Sequence, residues 1–163
     1  FTSQNFSQRP NAVQVFLNLV SFIGACVGST GGGIKVVRVL LMFRLGMKEI
    51  KQFIHPNAQI NVKLNRSTVR QKTLVSVLGF FSLYTISFLL ILLLLMFTGM
   101  DQVSAFSATA ATMNNLGPGL GEVAQNYSSL GDASKWILSM SMLFGRLEVL
   151  TLIALFHKAF WRY

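Results

Sequence analysis

The sequence predicts an all-α integral membrane protein, and three observations predict it. Thr73–Met100 runs without a charged residue. The chain is 52% hydrophobic and only 12% charged, with a mean hydropathy of +0.55. The third observation is Asp101–Gly121, DQVSAFSATAATMNNLGPGLG, a run of small and apolar residues that turns sharply at Asn114–Gly119 between two hydrophobic segments. A dozen helical residues reach about 18 Å, little more than half of a hydrocarbon core roughly 30 Å thick. A helix that enters the bilayer and breaks there leaves carbonyls unpaired, which is tolerated where they line a water-filled path or bind an ion. The expected unit is therefore helix–pore loop–helix.

Val13–Val27 is apolar but too short to span unaided, and Gly28-Ser29-Thr30-Gly31-Gly32-Gly33 breaks it. Ile34–Phe43 resumes an apolar helix that turns basic and amphipathic by Met47–Ile54. His55-Pro56-Asn57 ends it, because proline brings no backbone donor and disfavours helix just before it. Residues 57–72 form a polar, basic connection. Thr73–Met100, almost pure Leu and Ile over Leu89–Leu95, is the least ambiguous membrane helix. Asp101 and Ser104 are placed to cap a short helix over 101–113. Residues 114–121 make the turn, Glu122–Ala133 is a polar outer loop, and 134–163 holds the final span, with Trp136 and Trp161 as interfacial anchors.

The net charge is +9. Lys35, Arg38, Arg44, Lys48, Lys51, Lys63, Arg66, Arg70 and Lys72 form one block, and Lys158 and Arg162 close the chain. Acidic Asp101, Glu122 and Asp132 lie on the connections between these blocks. This is the positive-inside arrangement, with 44–72 and the C-terminus cytoplasmic. So much apolar sequence argues against nucleic acid as the partner. No signal peptide is expected in Phe1–Pro10, and the chain reads as an internal or C-terminal fragment. Cys26 stands alone and supports neither a disulfide framework nor a metal cluster.

A pore helix aims the negative end of its dipole at the pore axis, and Thr109–Asn114 would form that end, favouring a cation. Gly117 can take backbone angles closed to other residues, and Pro118 stiffens the exit. An ordinary outer loop with a turn at Gly117–Gly119 is the alternative. Gly28–Gly33 with Lys35 lacks the spacing of a phosphate-binding loop, since Ile34 intervenes and Val36 follows. Four glycines in six residues suggest instead an unwound stretch that lines or blocks a cavity, or a structural kink. Arg146 falls near the middle of the final span, where an arginine costs about 2.5–3.5 kcal/mol even on the lenient scale. It should face protein or water, with the carbonyls of Gly28–Gly33 as acceptors. Glu148 lies on another helix face and is a poor partner. Two His, one Cys and no paired carboxylates offer no catalytic constellation, so no enzyme is expected.

Three motifs, GACVGSTGGGIKVVRVLL, SAFSATAATMNNLGPGLGE and MLFGRLEVLTL, together resemble the membrane subunit of bacterial Trk-type potassium uptake systems, in the superfamily that includes KtrB and the plant HKT transporters. The resemblance covers essentially the whole chain. It implies four helix–pore–helix repeats around one potassium pathway. Residues 1–56 would be the end of the third filter strand and the broken second helix of repeat three, and 73–163 repeat four. Asn114, Asn115, Leu116 and Gly117 would be the fourth filter segment, with carbonyls toward the ion. Gly28, Ser29, Thr30, Gly31, Gly32 and Gly33 would be an intramembrane gating loop, with Arg146 and Lys35 as pathway charges.

The implied function is potassium uptake across the bacterial inner membrane, with potassium as cargo and no organic cofactor. Implied partners are the remaining repeats, a second copy in a homodimer, membrane lipid and a cytoplasmic nucleotide-binding TrkA-type ring. Lys48–Phe53 and Lys63–Lys72 would meet that ring. A secondary transporter with a broken-helix substrate site and a non-conducting membrane scaffold are the alternatives.

Overall fold

The computed structural model describes residues 10–24, 26, 32–58, 60–64, 67–124 and 126–147. In chain order these form α1 (Asn11–Ser21), α2 (Val36–Ile54), β1 (Lys63–Leu64) paired antiparallel with β2 (Ser67–Thr68), α3 (Gln71–Phe97), α4 (Gln102–Met113), a 3-10 turn Gly121–Val123 and α5 (Asp132–Arg146). The expectations at Phe1, Gly28–Gly31, Glu148, Trp161 and the basic C-terminus lie outside the described residues.

α3 is, among the described residues, the one helix long and apolar enough to cross a membrane. Its 27 residues reach about 40 Å, ample for a tilted span. It is apolar all round, yet one stripe is buried: Leu74, Val77, Phe80, Tyr84, Phe88, Ile91 and Leu95. Steps of three and four place these on a single face. The other faces leave Ile86, Leu89, Leu90, Leu93 and Leu94 exposed, as lipid contact requires. The helix stops at Phe97, short of the expected Met100, because Gly99 adopts φ +90° and turns the chain.

α4 follows at once. The Asp101 carboxylate accepts from the Val103 amide at 3.2 Å and caps it. Ser104 does not cap; its hydroxyl instead accepts from the Glu122 amide at 3.2 Å, tying the 3-10 turn to the helix. Nine of the twelve α4 residues are buried, most of them Ala, Ser or Thr. Small side chains let neighbouring helices come close. α5 uses this: Ser141 lies 2.9 Å from the Thr112 hydroxyl, and Ser134 donates to Thr98 at 2.9 Å. Thr112 spends its own proton on the Ala108 carbonyl at 2.7 Å, so Ser141 is the donor.

The broken helix differs from expectation. α1 ends at Ser21 rather than Val27, and α2 starts at Val36. The strands of chain leaving and returning pair instead: the Gly24 amide donates to the Ile34 carbonyl at 2.8 Å and the Ile34 amide to Phe22 at 2.9 Å. That parallel bridge gives the backbone partners it loses by unwinding. The basic connection also carries more order than expected, for β1 and β2 make a hairpin and Gln71 and Lys72 already belong to α3. Val62 and Leu41 pack there on Leu74 and Val77.

The main core lies between α3, α4 and α5, with Leu95, Ala105, Ala108, Ala110 and Met113 wholly enclosed. Phe88 meets Phe22 at 5.6 Å and Phe106 edge-on at 5.5 Å, joining the break to α3 and α4. Truncating a buried leucine leaves a cavity worth about 2–5 kcal/mol. Leu95→Ala should lower the melting temperature of the detergent-solubilised full-length protein by several degrees. Phe97→Ala, at a side chain 88% exposed, should leave it nearly unchanged; equal effects would contradict this core.

Candidate functional site

The C-terminal end of α4 is closed by a motif that costs its last turn two carbonyls. Asn114 ends the helix and Asn115 takes the left-handed conformation, φ +54°. The Leu116 amide then donates to the Ala111 carbonyl at 2.8 Å and the Asn115 amide to Thr112 at 3.1 Å. This is the Schellman pattern, with asparagine in the place usually held by glycine. Among the described residues no backbone amide reaches the carbonyls of Met113, Asn114, Asn115 or Leu116. No basic side chain stands in the last turn of α4, so its dipole leaves a negative end uncompensated there.

Asn114 is buried at 8% exposure and is held from two sides. The Tyr84 hydroxyl of α3 donates to its Oδ1 at 2.8 Å, and its Nδ2 donates to Ser21 Oγ of α1 at 3.0 Å. Ser21 passes its own proton to the Asn18 carbonyl at 2.6 Å. One amide side chain thus ties the end of α4 to the span and to the lip of the helix break. Further on, Ser107 accepts from the Leu120 amide at 2.8 Å. Gly117, φ +100°, offers its carbonyl to the Tyr127 hydroxyl at 2.7 Å. Burial pushes the Tyr127 phenol above its usual range, so it remains a protonated donor well above neutral pH.

Two glycines touch this turn. A Cβ on Gly32 would lie 2.6 Å from the Asn114 oxygen and 2.7 Å from Asn115 Nδ2. A Cβ on Gly145 would run into the Met113 carbonyl and lie 2.9 Å from Asn115 Nδ2. Bare backbone from the break therefore presses on Asn114 and Asn115, and bare backbone from α5 presses on Met113 and Asn115. Three separate sequence motifs meet at one point.

Of the expected site residues, Asn114 is buried while Asn115, Leu116 and Gly117 are exposed. Gly32 touches the turn, and Gly33, φ +79°, packs on the Ser21 and Phe22 carbonyls. Lys35 is half-buried at the start of α2. Arg146 is exposed as the last residue of α5, next to Gly145. Sequence reading missed Tyr84, Ser21, Tyr127 and Gly145. Tyr84 had a signal, as the lone phenol in an otherwise charge-free span; the serine hydroxyls had none. Among the described residues no cluster of His, Cys, Asp or Glu is arranged to hold a metal.

The sequence model of the family described as TrkH, cation transport protein, matches residues 1–163. The Trk system potassium uptake protein TrkH of Vibrio parahaemolyticus is 50% identical over 99% of this chain and 33% of its own length. TrkH of Escherichia coli K12 is 48% identical, and TrkG of the same organism 39%, over 34% and 33% of their lengths and 99% and 98% of this chain. The crystal structure of the potassium transporter TrkH from Vibrio parahaemolyticus matches with a TM-score of 0.90 at 50% identity, over 99% of this chain and 35% of that one. The mostly helical fold agrees with a segment of that structure. The chain spans about a third of the length of these relatives.

The contact at Gly145 yields a direct comparison. Gly145→Ala must displace either α5 or the Met113 carbonyl, whereas at Gly79 of α3 nothing lies within 4 Å of an added Cβ. Gly145→Ala should lower the melting temperature of the full-length protein. Gly79→Ala should be neutral or slightly stabilising, since alanine is the better helix former. A harmless Gly145→Ala would mean that α5 does not press on the turn.

Proposed function

Because the chain belongs to the TrkH family of cation transport proteins, we propose that it supplies one quarter of a potassium pathway and the closing helix of the neighbouring quarter. The chemistry is transport; the family is not one of enzymes. In this reading α3, α4 and α5 are the helix, pore helix and second helix of repeat four, and α1 with α2 is the broken second helix of repeat three. Asn114, Asn115, Leu116 and Gly117 are the filter segment, with potassium as cargo. The outer face of the inner membrane lies at the Asp101 end of α3 and the cytoplasm at the basic hairpin.

One observation carries the proposal: a half-length helix ends on a buried asparagine and is followed by consecutive carbonyls that no described backbone amide satisfies. Such carbonyls, beside an uncompensated dipole end, suit a dehydrated cation and repel an anion. Asn114 sets the direction of the segment through Tyr84 and Ser21. Tyr127 holds the Gly117 carbonyl by one lone pair and leaves the second for an ion.

Gly32 lies against the filter segment, so a movement of Gly28–Gly33 would be felt at the ion path. Arg146, one residue from the Gly145 contact, is the charge placed to control that movement, and Lys35 lies at the other end of the loop. The apolar groove of about 490 Å³ between α1, α3 and α4, lined by Val15, Leu19, Leu92 and Phe106, is where an adjoining repeat would pack. A homodimer and a cytoplasmic nucleotide-binding ring are the assembly partners of this reading, with Lys48–Phe53 and Lys63–Lys72 facing the ring.

Tests belong in the full-length transporter. Gly117→Ser disturbs a left-handed residue and should reduce the preference for potassium over sodium in flux assays; unchanged selectivity would remove Gly117 from the filter. Arg146→Ala should raise leak or alter turnover without loss of membrane insertion, and wild-type flux at full expression would count against gating. Shortening Gly28–Gly33 should raise basal flux if the loop obstructs the path.

A further inference from the structure

The second half of α2 has two stripes that the passage of the ion itself does not use. Arg44, Lys48 and Lys51 are spaced by four and three residues and share one face. Beside them Phe43, Met47, Ile50 and Ile54 form a second, apolar stripe. Phe43 is 69% exposed and Ile50 58%. Large apolar side chains in such a row, flanked by long cations, are what a helix lying in a membrane interface presents. The cations reach the headgroups while their stems stay on apolar surface.

The basic stripe is also built into a pocket. The hairpin folds against α2, and Arg44 Nη1 donates to the Lys63 carbonyl. Between them is a cavity of about 180 Å³ bordered by Arg44, Lys48, Lys51, Asn61 and Lys63. Four cations and one amide converge, and among the described residues no carboxylate lines it. Arg44 has further guanidinium N–H groups beyond the one it uses, in the fork geometry that suits a phosphate.

Its level in the membrane follows from packing. Val62, at the edge of the pocket, is buried on Leu41, Leu74 and Val77. Leu74 is the second residue of the charge-free run that starts at Thr73. The pocket thus sits at the rim of the α3 span, where phospholipid phosphates lie.

We propose that Arg44, Lys48, Lys51 and Lys63 bind the phosphate headgroup of an anionic phospholipid, whose acyl chains run along the stripe of Phe43, Met47 and Ile50. The headgroup supplies the negative charge the pocket lacks, and the chains cover the apolar row. A soluble anion would satisfy the pocket alone. A water-facing protein partner would leave the apolar stripe bare.

The proposal can be tested with the purified full-length protein by native mass spectrometry and competitive lipid exchange. Phosphatidylglycerol should be retained about ten- to hundredfold more tightly than phosphatidylcholine, as expected for several cations at an anionic surface. The variant carrying Arg44→Gln, Lys48→Gln and Lys51→Gln should lose most of that preference, while Lys72→Gln, outside the pocket, keeps it. Ile50→Ser should weaken retention of phosphatidylglycerol without changing its competition by inorganic phosphate. Equal retention of the two lipids by the wild type would overturn the proposal, and that comparison needs no variant to fold. So would displacement by millimolar inorganic phosphate, which marks a soluble-anion pocket. A triple variant with intact lipid preference but lost binding of the cytoplasmic ring would assign the face to a protein instead. None of these results bears on the filter assignment, which the selectivity of Gly117→Ser tests separately.

Discussion

The end of α4 governs the rest of this structure. α4 is a twelve-residue helix whose last residues are buried, so its final carbonyls must be dealt with inside the protein. Two are closed locally by the left-handed turn at Asn115. The ones that follow meet no described backbone amide, and other backbone packs close to them at Gly32 and at Gly145. An unpaired carbonyl in an apolar setting is costly, but Asn115 and Leu116 are exposed, so theirs are not sealed in one.

Holding such a turn in place calls for directional partners. The molecule uses neutral ones. Tyr84 and Ser21 fix the Asn114 side chain, Ser107 fixes Leu120, and Tyr127 fixes Gly117. Hydroxyl and amide groups give direction without adding a full charge beside the turn. No cation stands in the last turn of α4; the nearest in sequence to the glycines that touch the turn are Lys35 at the start of α2 and Arg146 at the end of α5. The helix itself thus supplies no charge to offset the negative end of its dipole.

Much of the fold was legible because it rests on local rules. The absence of charge over Thr73–Met100 announces α3, and Asp101 before a run of small residues announces the start of α4. What failed to show were the ends decided by distant partners. Nothing in Phe22-Ile23 says that the helix stops at Ser21; it stops because that segment pairs with Ile34. Ser104 looks like a cap, yet its hydroxyl goes to Glu122, eighteen residues away. The hairpin at 63–68 is two residues a side and forms because Val62 and Leu64 find Leu41, Leu45 and Leu74. Its own sequence is too short and polar to predict it.

The sequence by itself determined the class of the protein, the length of α4 and the sign of the charge that its C-terminal end favours. Those follow from hydropathy, residue count and helix polarity, which are properties of contiguous chain. Only the tertiary structure decided that three separate motifs converge on Met113–Asn115 and that Asn114 is held by Tyr84 and Ser21. Contacts such as Ser21 with Asn114 link residues 93 positions apart, and no local pattern encodes them. They exist because close helix packing around small side chains brings those backbones within reach.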